Sequence, residues 1–130
     1  MALSRLATPS VIVNNEPAYI AANTVMYDEG LGEDIVTPES AGGNRVRMTT
    51  AKNVETLKSK VQFELHNTSE SVSKARSWKT NSGDNTITLQ DPNDPEFSKT
   101  FTNMTLINQY EVNLSSDGTI SVEFEGDAAV

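Results

Sequence analysis

Through most of the second half of this chain, apolar residues alternate with polar ones. Residues 60–65 read Lys-Val-Gln-Phe-Glu-Leu, with Val61, Phe63 and Leu65 on one side of a strand and Lys60, Gln62 and Glu64 on the other. Residues 120–124 repeat the pattern, with Ile120, Val122 and Phe124 facing in and Ser121, Glu123 and Glu125 facing out. Residues 110–114 are expected to do the same, with Tyr110, Val112 and Leu114 inward and Glu111 and Asn113 outward. A period of two predicts strands with one packed face and one wet face. Ser116-Asp117-Gly118 between the last two runs predicts a hairpin turn. Residues 99–107 predict a further strand carrying Phe101, Met104 and Leu106, with a bulge near Asn103 where the alternation slips.

Earlier in the chain the signals are shorter. Residues 10–14 form a β-branched run, and Asn14-Asn15-Glu16-Pro17 predicts a turn. Residues 19–27 predict a returning strand with Ile20, Val25 and Met26 buried, completing a first hairpin. Residues 45–50 alternate again, with Arg45, Arg47 and Thr49 opposite Val46 and Met48, which predicts another half-packed strand. Residues 86–89 predict a strand, and the stretch from Asp91 to Glu96, with Pro92 and Pro95, a turn-rich loop.

One helix stands out, within residues 68–80. Asn67 with Glu70 resembles a capping box, Val72, Ala75 and Trp78 recur at helical spacing as its core anchor, and Gly83 supplies a left-handed stop. Residues 28–44 keep no period and contain Gly30, Gly32, Pro38, Gly42 and Gly43. They predict a long loop or irregular hairpin arm. Loops of that length are uncommon in compact domains and tend to be functional or disordered. Leu31, Ile35 and Val36 are the apolar residues expected to pack it onto another molecule.

These elements together predict a mainly β fold, two packed sheets in a sandwich- or barrel-like arrangement with one flanking helix and a long loop, in a single domain over 1–130. Apolar residues make up 36% of the chain, below the usual share for a self-sufficient globular protein. That fits a thin two-layer fold, or a protomer whose core is finished by its neighbours.

Charge sharpens the picture. The net charge is −8. Eight of the ten basic residues lie between Arg45 and Lys79, whereas residues 28–44 hold Asp28, Glu29, Glu33, Asp34 and Glu39 and no base. Uneven charge of this kind favours stacking of complementary faces and disfavours stable binding to nucleic acid. No apolar run approaches the length needed to cross a bilayer, and the N-terminal stretch lacks a signal-peptide core, so a protein made in the cytoplasm and free of membranes is expected.

Candidate chemistry is sparse. There is no cysteine, and the only histidine, His66, has no marked nucleophilic partner. Asp91, Asn93 and Asp94 lack the glycine and terminal glutamate of a calcium loop. Gly30-Leu31-Gly32 is followed by two carboxylates that would repel a phosphate. No enzyme, cofactor or metal is expected.

Three stretches carry a resemblance: SAGGN at 40–44, VQFELHNTSESVSKARSWK at 61–79, and FTNMTLINQYEVNLSSDGTISVEFEGD at 101–127. Together they make the chain resemble the tail-tube proteins of contractile-tailed bacteriophages, which are related to the tubes of type VI secretion and R-type bacteriocins. The resemblance implies two β-sheets with one helix, six copies to a ring, strands shared in a continuous barrel, and rings stacked into a tube in the virion tail. It implies as partners the chain itself, a tail sheath protein, baseplate or initiator proteins and a terminator, with genome DNA passing through unbound. It makes the 28–44 arm the expected inter-ring contact through Leu31, Ile35 and Val36. The expected lumen-lining residues are Glu111, Asn113, Ser121, Glu123 and Glu125 on two neighbouring strands, or Asp28 and Glu29 at the arm's start. The alternatives are a monomeric β-sandwich binding module and a spherical virus coat protein.

Overall fold

A computed structural model describes residues 10–53, 57–114 and 117–127. Nine strands and one helix follow in the order β1 (Ser10–Val13), β2 (Glu16–Pro17), β3 (Met26–Asp28), β4 (Asp34–Ser40), β5 (Val46–Lys52), β6 (Lys58–His66), α1 (Ser69–Thr80), β7 (Asn85–Asp91), β8 (Asp94–Leu106) and β9 (Thr119–Asp127). Seven strands form one antiparallel sheet in the order β2-β1-β7-β8-β9-β6-β3, and β4 pairs only with β5. The fold is thus mainly β, with two antiparallel sheets and one helix, as expected.

The long strand β8 connects the two halves of the larger sheet. It pairs with β7 along most of its length and with β9 only at Thr105 and Leu106. The change of partner follows a bulge. Asn85 lies opposite Met104 but Ile87 opposite Phe101, and Asn103 takes a positive φ of 55°. An extra residue bends a strand and increases its twist. Val11, Val13, Ile87, Leu89 and Phe101 from one half therefore meet Val61, Phe63, Leu65, Ile120, Val122 and Phe124 from the other in a single core.

The inward faces of β6 and β9 set that core. Val61 lies opposite Phe124, Phe63 opposite Val122, and Leu65 opposite Ile120. Phe63, Phe124 and Trp78 make an aromatic triangle with ring centroids 5.8–6.0 Å apart. Trp78 and Ala75 hold α1 to the sheet and are buried, whereas Val72 is only partly buried. Ser71 is the third buried residue of the helix face. The cap is Thr68 and not Asn67: its hydroxyl accepts from the Ser71 N–H at 3.2 Å. Glu70 therefore falls one position early for the expected capping box. Gly83 is left-handed at φ 82°, as the sequence predicts.

Three other expectations change. The first hairpin closes directly through Asn14 and Asn15, both at positive φ, and returns only as far as β2. Residues 19–27 instead cross to the edge of β6, where Ile20 bridges Leu65 and β3 pairs with residues 60–62. Ile20 and Val25 are partly buried there, but Met26 is exposed. Pro92 and Asn93 form a tight turn joining β7 to β8 and not a loop, because Asp91 and Asp94 are paired across it. Residues 107–114 are not a strand. Val112 and Leu114 are exposed, and only Tyr110 packs partly on the core. Ser116 of the expected turn lies outside the described residues.

Candidate functional site

Of the two forms expected for residues 28–44, the hairpin arm is the one found: residues 34–40 are β4, the first strand of a regular hairpin with β5 over 34–52. Its register runs from Asp34 opposite Lys52 to Ser40 opposite Val46. Gly30 launches it. A Cβ there would sit 2.5 Å from the Lys58 carbonyl carbon, and φ is 75°, so only glycine lets the chain pass β6 this closely. Every residue of β4 is exposed, and in β5 all but Thr49 are. The half-packed sheet expected for residues 45–50 is therefore not formed among the described residues.

Residues opposite each other on paired strands share a face. Val36, Pro38, Val46, Met48 and Thr50 accordingly lie on one side of the arm, and Ile35, Thr37, Glu39, Arg47, Thr49 and Ala51 on the other. The first side is an apolar stripe. Val46 is 67% exposed, Met48 60% and Val36 52%. It ends in the Asp34–Lys52 ion pair at 2.8 Å. Of the expected anchors, Val36 belongs to this stripe and Ile35 lies on the opposite side. Leu31 sits at the arm's foot, beside Tyr27, Glu33 and Lys58. Val46 and Met48 are apolar partners that the sequence reading does not assign to the arm, and Pro38 lies within the arm but is not among its expected anchors. The signal was present in the alternation of 45–50, but it was attached to a packed sheet.

The outward face of β3, β6 and β9 forms the second surface. Met26, Gln62 and Glu123 lie in one row across it, and Asp28, Lys60 and Glu125 in the next. Asp28, Glu64, Glu123, Glu125 and Asp127 share this face with Lys58 and Lys60. The two candidate acidic sets thus merge in part: Asp28 belongs with Ser121, Glu123 and Glu125. Glu29 does not lie on the β3 strand and pairs instead with Lys99 of β8, whose ammonium is raised above its ordinary value by that hydrogen bond and by the carboxylate's charge. The face is also less free of bases than expected, because Lys58 contacts Glu125 at 3.1 Å and Lys60 at 4.0 Å.

Glu111 and Asn113 do not lie on a strand beside β9. They line the wall of a 560 Å³ cavity between residues 108–113 and the start of β9, with Thr119 and Ser121 opposite. The segment is held toward α1 at both ends. Lys79 Nζ donates to the carbonyls of Leu106, at 2.8 Å, and Asn108, at 3.4 Å. Asn67 Nδ2 donates to the Asn113 carbonyl at 2.8 Å.

Among the described residues no three His, Asp or Glu side chains are placed to hold a metal ion, and no helix is long and apolar enough to cross a membrane. A comparison with protein-family models finds no match, and a comparison with curated proteins finds none either.

Proposed function

We propose that this protein is a self-assembling structural subunit, the tail-tube protein of a contractile-tailed bacteriophage. Six copies close a ring, rings stack into the inner tube, and the genome passes along the channel. The arm is the observation that carries this reading. An isolated two-stranded ribbon is marginal in water, and this one exposes Val36, Pro38, Val46 and Met48 on a single side. A second copy that covers the stripe would both order the arm and link the subunits. Burying each large side chain contributes about 1.5–3 kcal/mol.

The outward face of β3, β6 and β9 is the candidate channel wall. Five carboxylates against two lysines leave it net negative. Such a wall repels a polyanion along its whole length and gives it no site at which to stop. The sheath protein would cover the outside of the tube, and initiator and terminator proteins would cap its ends.

Electron microscopy and sedimentation of the purified chain test the proposal. Rings or tubes with sixfold end views are expected, alone or after seeding with a baseplate initiator. Closed spherical shells would instead favour a coat protein. A chain that stays monomeric with the seed present would overturn the self-assembly reading.

A further inference from the structure

The start of β9 has an unfinished edge. Glu64 pairs with Ser121 in the register of β6 and β9, but the Glu64 carbonyl accepts from Ala21 N–H at 2.8 Å and its N–H donates to Thr24 Oγ1 at 3.2 Å. Both groups point away from β9. Ser121 and Thr119, which share this alternation, therefore direct their backbone groups to the opposite side, into the 560 Å³ cavity.

Only part of that edge is occupied. Ile107 N–H donates to the Glu123 carbonyl at 2.9 Å, continuing the ladder from β8 by one rung. There the backbone ladder stops and the Asn108 side chain takes over. Its oxygen accepts from Glu123 N–H at 2.9 Å and its nitrogen donates to the Ser121 carbonyl at 2.9 Å. A carboxamide offers one acceptor and one donor side by side, as a peptide group does, so Asn108 fills one rung as a placeholder. Beyond it, Ser121 N–H and the backbone of Thr119 meet no partner among the described residues. Lys79 and Asn67 hold residues 107–113 toward α1, which keeps the slot open.

We propose that this slot accepts the outer edge of β5 from the arm of a second copy, adding a strand to β9. The inference rests on the self-assembly reading and names the acceptor it requires. Alternation provides the match. The odd residues of β5 bond to β4, as the Ala41 N–H to the Arg45 carbonyl and the Asn53 N–H to the Glu33 carbonyl show, so Val46 and Met48 present its outer edge. In a parallel pairing Arg47 then lies opposite Ser121, with Val46 and Met48 on either side of it supplying the bonds, and Arg45 lies opposite Thr119. Arg47 falls on the outward face in the row of Glu64 and next to Glu123, and Val46 and Met48 turn to the other side. That side carries Ile120 and Val122 of β9, with Val112 exposed nearby. The basic tip of the arm thus meets carboxylates while its apolar residues meet apolar ones. Shifting the pairing by one residue reverses both matches, so the charges and the apolar residues select the same register.

Disulfide trapping tests this directly, because the chain has no cysteine of its own. Arg47→Cys protein is mixed with Ser121→Cys protein under assembly conditions and then oxidised. A cross-linked dimer is expected in the mixture, with loss of fast amide exchange at Thr119 and Ser121 in the wild-type assembly. Sedimentation before oxidation separates the two possible failures. If the mixture does not assemble, self-assembly itself is wrong and the acceptor falls with it. If it assembles and no 47–121 cross-link forms, the acceptor is wrong. The double variant Gln109→Cys/Ser121→Cys covers the remaining case: closure within one chain in the assembled protein would show that residues 107–113 fill the slot themselves, and would also overturn the proposal.

Discussion

The sandwich body and the arm are made of the same kind of structure, but they meet water in opposite ways. β6 and β9 pair over nine residues, and every inward side chain from Val61 to Leu65 disappears into a core shared with α1 and β1. β4 and β5 pair over seven residues with equal regularity, and neither face is covered. Alternation of apolar and polar residues thus specifies a strand and its two faces. It does not specify whether the apolar face is buried by the same chain. In the body one face of each such strand is buried; in the arm both are exposed.

The most severe way to test that contrast is to remove the arm. Replacing residues 34–52 with a short Gly-Ser linker is expected to abolish large assemblies in sedimentation while leaving the denaturation midpoint of the body in place. Assemblies of normal size from this variant would show that the arm does not link subunits. A finer version separates the two faces. Val46→Asp with Met48→Asp is expected to block assembly, whereas Ile35→Asp on the opposite side is expected to weaken it less. Equal effects would remove the distinction between the faces.

Truncation in the two regions should differ sharply in stability. Phe124→Ala opens the middle of the aromatic triangle and is expected to cost about 3–5 kcal/mol in urea denaturation. Met48→Ala in the dispersed protomer is expected to change stability by no more than about 0.5 kcal/mol, as exposed substitutions usually do. A large cost for Met48→Ala would mean that the arm is packed on its own body. Thr68→Ala removes the helix cap and is expected to cost about 1 kcal/mol by the same measurement. No such loss would argue that the hydroxyl bond to Ser71 contributes little.

The smallest expected effect is at the Glu29–Lys99 ion pair. Glu29 raises the Lys99 ammonium above its ordinary value, so the pair's contribution is complete below the unfolded value of 10.5 and is lost as pH rises through the higher folded one. Lys99 is accessible to solvent, so the contribution is screened. A slight extra loss of stability in strong alkali is expected in the wild type and should be missing from Glu29→Gln. Identical alkaline curves would mean that the ion pair contributes nothing measurable.

Much of the body could be read from the residues. The faces of β6 and β9, the bulge at Asn103, the anchoring of α1 by Ala75 and Trp78, and Gly83 as its stop all follow from local periodicity and backbone preference. The failures have a common physical cause. Residues 110–114 alternate as a strand should, but Lys79, Asn67 and the Asn108 side chain draw that stretch off the β9 ladder through tertiary hydrogen bonds. Local signals predict a hairpin for residues 19–27, but their partner is β6, far along the chain, with Met26 opposite Gln62 and Ile20 opposite Leu65. The arm's register is not legible in the sequence because Ile35 and Val36 are adjacent and Pro38 follows, which leaves β4 without a period, and only pairing with β5 shows which residues share a face. The acidic face was legible only in pieces, since Asp28 joins Glu123 and Glu125 through β6.

The two regions also place different limits on how the sequence can diverge. At Gly126 a single added carbon would lie 2.4 Å from the Met104 sulfur and 2.9 Å from the Asn103 carbonyl oxygen, so the crossing of β8 and β9 admits no side chain without rearrangement. At the arm's tip, carbons added at Gly42 and Gly43 would meet nothing within 4 Å. Insertions and substitutions between Ser40 and Val46 therefore leave the folding of the body untouched. At the tip the restraint is the backbone alone, because Gly42 and Gly43 hold positive φ values of 92° and 59°, whereas at the crossing it is the packing of two strands.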